Sequence, residues 1–204
     1  MVGVYPLPTG FITRLRTNPP PPRIASVNLP WYLSLASAWV LSQERRILDL
    51  GAPLTTRQLA DAERAGVVNP QRVRILCVQR IPMPDNPDLL RIAEQIKLTS
   101  LPPPGLSLRY GIYISSEHWG QRRLLVHKLA HTAQYERFAS VRTFLECYLY
   151  QCLAVGSVAA PLEQEAELTA ERICGPAQPL SAPISASDQD SKRRSSGGRT
   201  GFWT

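Results

Sequence analysis

All three histidines of the sequence, His118, His127 and His131, fall within fourteen residues of one another. His127 and His131 stand four apart, and on a helix that spacing sets two imidazoles on one face, one turn apart. Two such imidazoles can bind a single tetrahedral Zn2+, and a zinc site of catalytic type adds a third protein ligand while leaving one position open to water. The segment Glu163-Gln164-Glu165-Ala166-Glu167 offers that third ligand. In a helix Glu163 and Glu167 share a face, so the first can hold the metal while the second orients an imidazole from outside the ligand set. Glu165 points elsewhere, but spacing alone leaves Glu163 and Glu165 both open as the third ligand. The residue after the first histidine is Lys128. An ammonium cannot accept a proton, and beside Zn2+ it adds like charge.

Helices must place these groups, and the periodicity supplies them. Gln121 to Arg137, around the histidine pair, is helical in composition. Val141, Phe144, Leu145, Tyr148, Leu149, Cys152 and Leu153 follow the i, i+3, i+4, i+7 rule, as do Leu162, Ala166, Thr169, Ala170 and Ile173. Pro161 suits the first position of that last helix and Gly175 suits its stop. Upstream, Trp31 to Leu50 reads as a helix closed by Gly51. A further helix begins at Thr55, where Thr55 and Gln58 have capping-box spacing, and Leu54 with Leu59 can form a hydrophobic staple. Val73 to Val78 is a β-prone run, Pro87 opens a helix carrying Leu89 and Leu90, and Leu106 to Ile114 reads as one strand. The expectation is an α+β, mostly helical domain with a small sheet.

Val126-His127-Lys128-Leu129-Ala130-His131-Thr132-Ala133-Gln134-Tyr135-Glu136-Arg137 resembles the active-site helix of small bacterial zincin-like domains, which reads His-Glu-Leu-x-His-x-x-Gln. Glu163, Ala166 and Glu167 are similar to the Glu-x-x-Ala-Asp segment of the gluzincin metallopeptidases, with Glu for Asp. The resemblance covers about residues 108 to 172. It implies a zincin-like domain with an active-site helix, a downstream ligand helix and a small sheet, with Zn2+ held by His127, His131 and Glu163. It also implies a peptide or protein ligand. The strand before the motif helix, Tyr110 to Ile114, takes the place of the zincin edge strand on which a peptide pairs by β-augmentation, with Gly111 leaving room and Tyr113 and His118 as further contacts. Tyr135 stands where it can steady an oxyanion or pack on the next helix. In the family, the residue at the position of Lys128 is the glutamate that acts as general base and passes the proton to the leaving amine. The implied function is a degenerate zinc metallopeptidase. The alternatives are an active zinc-dependent peptidase and a metal-free binding module that uses a basic surface.

Composition sets outer limits. At 204 residues, with 44% hydrophobic and 19% charged, the sequence suits one globular domain. Prolines and polar residues divide it into a Pro-rich lead-in (1–28), a domain (29–175) and a basic Ser/Gly/Pro tail (176–204). The net charge of +7 is mostly arginine set beside acids, as in Glu44-Arg45-Arg46 and Glu63-Arg64, which reads as a solvated face and not as a nucleic-acid stripe. Cys77, Cys147, Cys152 and Cys174 form no CxxC pair and read as reduced, buried small hydrophobes. The most apolar run, Leu29 to Leu41, is shorter than the roughly 20 residues a bilayer span requires. The amino terminus lacks the pattern of a secretory signal, so a cytoplasmic location is expected.

Overall fold

The computed structural model describes residues 29–95 and 103–176. The lead-in and nearly all of the basic tail lie outside the described residues. Six helices and four strands alternate irregularly: α1 (Leu29–Leu50), β1 (Ala52–Pro53), α2 (Thr56–Arg64), β2 (Arg74–Val78), α3 (Pro87–Gln95), β3 (Gly105–Leu108), β4 (Gly111–Ser115), α4 (Arg122–Arg137), α5 (Val141–Val155) and α6 (Pro161–Cys174). The fold is α+β and mostly helical, and no described helix is long and apolar enough to cross a membrane.

The sheet runs β1-β2-β4-β3, with β2 and β4 parallel and the outer pairs antiparallel. Its two faces are covered by different helices. Ile75, Ile112 and Ile114 pack with Leu125, Leu129 and Ala133 of α4 and with Leu54 and Ala62 around α2. Tyr113 and Leu108 pack on the other side with Val40 and Ile47 of α1 and Phe144 of α5. Burial on both faces explains why every residue of β4 is buried and why it lacks an apolar–polar alternation. α6 lies along α4, where Val126, Ala170 and Ile173 form a small core of their own. The buried alanines Ala130, Ala166 and Ala170 carry little side chain, which lets the two helices approach closely.

Local signals account for several boundaries. Thr55 caps α2 through the capping box with Gln58, and Leu54 and Leu59 share one hydrophobic cluster beneath it. Pro161 occupies the first turn of α6, and Gly175, at φ 86°, ends it. The single strand expected over Leu106 to Ile114 is instead a hairpin, β3 and β4, turning at Arg109 and Tyr110. Arg109 takes φ 63°, a left-handed conformation that costs a side-chain-bearing residue energy and hides the turn from sequence patterns. The turn is held from both sides: Tyr110 N–H donates to Glu44 Oε1 at 3.2 Å, and Thr132 Oγ1 donates to the Arg109 carbonyl at 2.8 Å.

Glu44 therefore departs from the solvated face expected for it. It is buried, and burial pushes its carboxyl pKa up against the lowering pull of the Tyr110 amide and Arg109. The cysteines depart too. All four are free thiols, but only Cys152 is buried, while Cys77 is exposed on β2 and Cys147 and Cys174 are half-buried.

Candidate metal centre

The histidine pair sits in the middle of α4, and Glu163 reaches it from the first turn of α6. His127 Nε2 lies 3.2 Å from Glu163 Oε2, His131 Nε2 lies 3.4 Å from Glu163 Oε1, and the two Nε2 atoms are 3.1 Å apart. One ligand atom from each of the three residues falls within 4.8 Å of the others.

Hydrogen bonding around the cluster fixes which nitrogen of His131 carries the proton. Gln134 is buried, and its amide Nε2 donates to the Leu162 carbonyl at 2.8 Å and to Glu165 Oε2 at 3.3 Å, both of which are acceptors only. Its Oε1 therefore faces His131 Nδ1, which must donate to it at 2.8 Å. The other imidazole has a carboxylate on each side: His127 Nδ1 meets Glu167 Oε2 at 3.3 Å and Nε2 meets Glu163 Oε2 at 3.2 Å, so either nitrogen can carry the proton. The two Nε2 atoms point at each other and at the Glu163 carboxylate. Tyr148 donates its hydroxyl to Glu163 Oε1 at 2.6 Å, the one donor aimed into the group among the described residues. With the protons of both imidazoles on Nδ1, three lone-pair atoms would converge here and repel one another unless a proton or a cation lay between them.

The electrostatics favour an ionised Glu163 beside a neutral His131. Burial opposes ionisation of Glu163, but hydrogen bonds with His127 and His131 outweigh it and hold the carboxyl well below the usual range. Burial pushes the His131 imidazole down, Glu163 resists, and Lys128 and His127 add to the fall. Two imidazoles and one carboxylate could hold a metal ion, and such nitrogen and oxygen donors would suit Zn2+. Burial, followed by the Glu163 charge, pushes the Tyr148 phenol well up, so it remains a donor.

Supporting contacts are built on α4 and α6. Glu167, which orients His127, is itself ion-paired to Arg123. Glu165 forms a forked pair with Arg137 at 2.7 Å to each oxygen and makes no direct hydrogen bond to either imidazole. Of Glu163 and Glu165, it is Glu163 that lies beside both imidazoles.

Lys128 is half-buried and lines the same cleft as His127 and His131. Burial lowers its pKa and Glu163 partly restores it. Its ammonium makes no hydrogen bond or ion pair with any described residue. Tyr135 is buried and packs its ring 3.7 Å from that of Phe144.

The residues expected to meet a peptide do not gather here. Gly111 and Tyr113 lie in β4, which is paired on both sides, and the edge strands of the sheet are β1 and β3. A Cβ on Gly111 would come within 3.0 Å of Ile47 Cβ and 2.9 Å of Ile47 Cδ1, so the glycine serves the approach of α1 and not that of a substrate. Tyr113 points to the same helix and donates to Gln43 Oε1 at 3.0 Å. His118 sits in a short 3-10 turn, its Nδ1 2.7 Å from Ser115 Oγ, and is absent from the cleft lining. Tyr148 and Arg123 were not legible as site residues. Tyr148 follows the apolar period of α5 and reads as core; its signal is a hydroxyl on an otherwise apolar face, which needs a partner when buried.

The cleft has a volume of about 560 Å3 and is walled by α1, β3, α4, α5 and the first turns of α6. Compared with protein-family models, curated proteins and solved structures, the chain matches none of them.

Proposed function

We propose that the chain is a zincin-like metal-binding domain, a degenerate zinc metallopeptidase that holds Zn2+ through His127, His131 and Glu163. The observation that carries this reading is the convergence of one potential ligand atom from each of the three residues, whose orientations are held by Gln134, Glu167 and Tyr148. Bound there, Zn2+ would act as a Lewis acid toward an oxygen in the cleft. The chain's own residues then decide whether hydrolysis follows. Gln134 and Glu167 keep the imidazoles in the ligating tautomer. Tyr148 keeps Glu163 turned toward them. Among the described residues the next side chain into the cleft is Lys128, and a cation at that place supplies no acceptor for the proton that hydrolysis must move.

The loss of a positioned general base costs roughly a hundred- to ten-thousand-fold in rate. The natural protein is expected to show no peptide cleavage above background. Lys128→Glu is expected to bind zinc more tightly and to cleave an unstructured protein substrate measurably. Cleavage and zinc affinity of the two forms, with a chelator-treated control, test this directly. Equal, chelator-sensitive cleavage by both would favour an active peptidase; no metal in either form would favour a metal-free binding module.

A further inference from the structure

The cleft beside the metal centre is strongly divided. Trp39, Leu106, Tyr135, Phe144, Leu145 and Leu149 form an apolar wall, while Lys128 and the His127, His131, Glu163 cluster form the polar end. A volume of about 560 Å3 is within the range of small-molecule sites, which are mostly apolar with few, placed polar groups. A second cation lines the cleft, Arg123, but it is engaged by Glu167 and the Gly175 carbonyl. Lys128 has no such partner among the described residues. A half-buried ammonium at the end of an apolar cavity is completed by an anion, and a carboxylate also suits an adjacent zinc. An extended peptide needs the edge of β3, where Gly105, Ser107 and Leu108 are already buried.

We infer that the cleft takes a small carboxylate with an apolar tail, its head seated at Lys128 beside the metal ligands and its tail along the wall formed by α1 and α5. This deepens the metal-site reading above, since it names the ligand class of the same cleft. The two can fail separately: Lys128 acts on the head with or without zinc, while zinc adds to the attraction by offsetting the charge of Glu163.

Titration calorimetry with decanoate, 1-decanol and butyrate tests it, using the full chain both zinc-loaded and chelator-treated. Decanoate is expected to bind at one site in both forms, tighter with zinc, and more tightly than decanol or butyrate. Lys128→Met is expected to weaken decanoate roughly tenfold or more and to abolish the preference for acid over alcohol, as loss of a charge-assisted hydrogen bond implies. Ala36→Trp, which adds bulk to the α1 wall, is expected to remove binding of both long-chain probes. The acid-over-alcohol preference is read within one protein, so it does not depend on equal stability of the variants. Absence of decanoate binding in both forms, or a preference that persists in Lys128→Met, overturns the inference even where zinc binds normally. Lys128-dependent binding that is indifferent to zinc upholds it and counts against the metal reading alone.

Discussion

At the scale of residues, the proposed metal centre would depend on second contacts as much as on ligands. Gln134 joins three groups: it accepts from His131 Nδ1, donates to the Leu162 carbonyl at the start of α6, and touches Glu165. It therefore sets the tautomer of one ligand and the position of the helix that carries another. Gln134→Leu is expected to weaken zinc binding about 10- to 100-fold, measured by competition with a chelating dye. Glu165→Gln should change it little, because Glu165 serves the exposed pair with Arg137. Equal losses in the two variants would mean that Glu165 also serves the metal. The histidine spacing and the acidic segment were legible in the sequence because helical period turns sequence distance into spatial distance within one element. The shared face of Glu163 and Glu167 was also legible, but the choice between Glu163 and Glu165 was not, because it depends on how α6 is rotated against α4. The cleft roles expected for Gly111, Tyr113 and His118 failed for a similar reason: which face of β4 meets which helix is a tertiary fact.

At the scale of elements, α4 is held at both ends by side chains that reach other elements. Near its start, Arg122 donates to both oxygens of Asp61 on α2, at 2.8 and 2.7 Å. Near its end, Glu136 accepts from the Val68 and Asn69 amides and from the Tyr110 hydroxyl. The Arg122 hydrogen bonds hold the buried Asp61 carboxyl below its ordinary range, against the opposing effect of burial. A depressed folded pKa gives stability that is present above the unfolded pKa and lost as pH falls through the folded one. Asp61→Asn is expected to destabilise the protein by about 2 kcal/mol at neutral pH, as for a lost hydrogen bond to a charged group. The difference from the natural protein should shrink as pH falls below about 4, where Asp61 begins to take up its proton. Urea unfolding at several pH values measures both; a difference independent of pH would assign the effect to packing. The capping box of α2, the proline start of α6 and the apolar stripes of α5 and α6 were all readable in advance, being local. The hairpin at Arg109 was not, since its left-handed residue is an arginine stabilised by Glu44 and Thr132 from distant parts of the chain.

At the scale of the whole molecule, the sheet is covered by α1 on one face and by α2 and α4 on the other, and the cleft opens where α1, α5 and the end of β3 meet the histidine face of α4. The arrangement explains why polar groups of several elements converge on one point while the surrounding walls stay apolar. It also makes the zinc reading decidable without any substrate. The most direct measurement is the metal content of protein purified without chelator, by mass spectrometry, for the natural chain and for His131→Ala. The account predicts about one zinc per natural chain, as for a site with three protein ligands, and none retained by the variant. A natural chain free of zinc, or a variant that holds it equally well, contradicts the account.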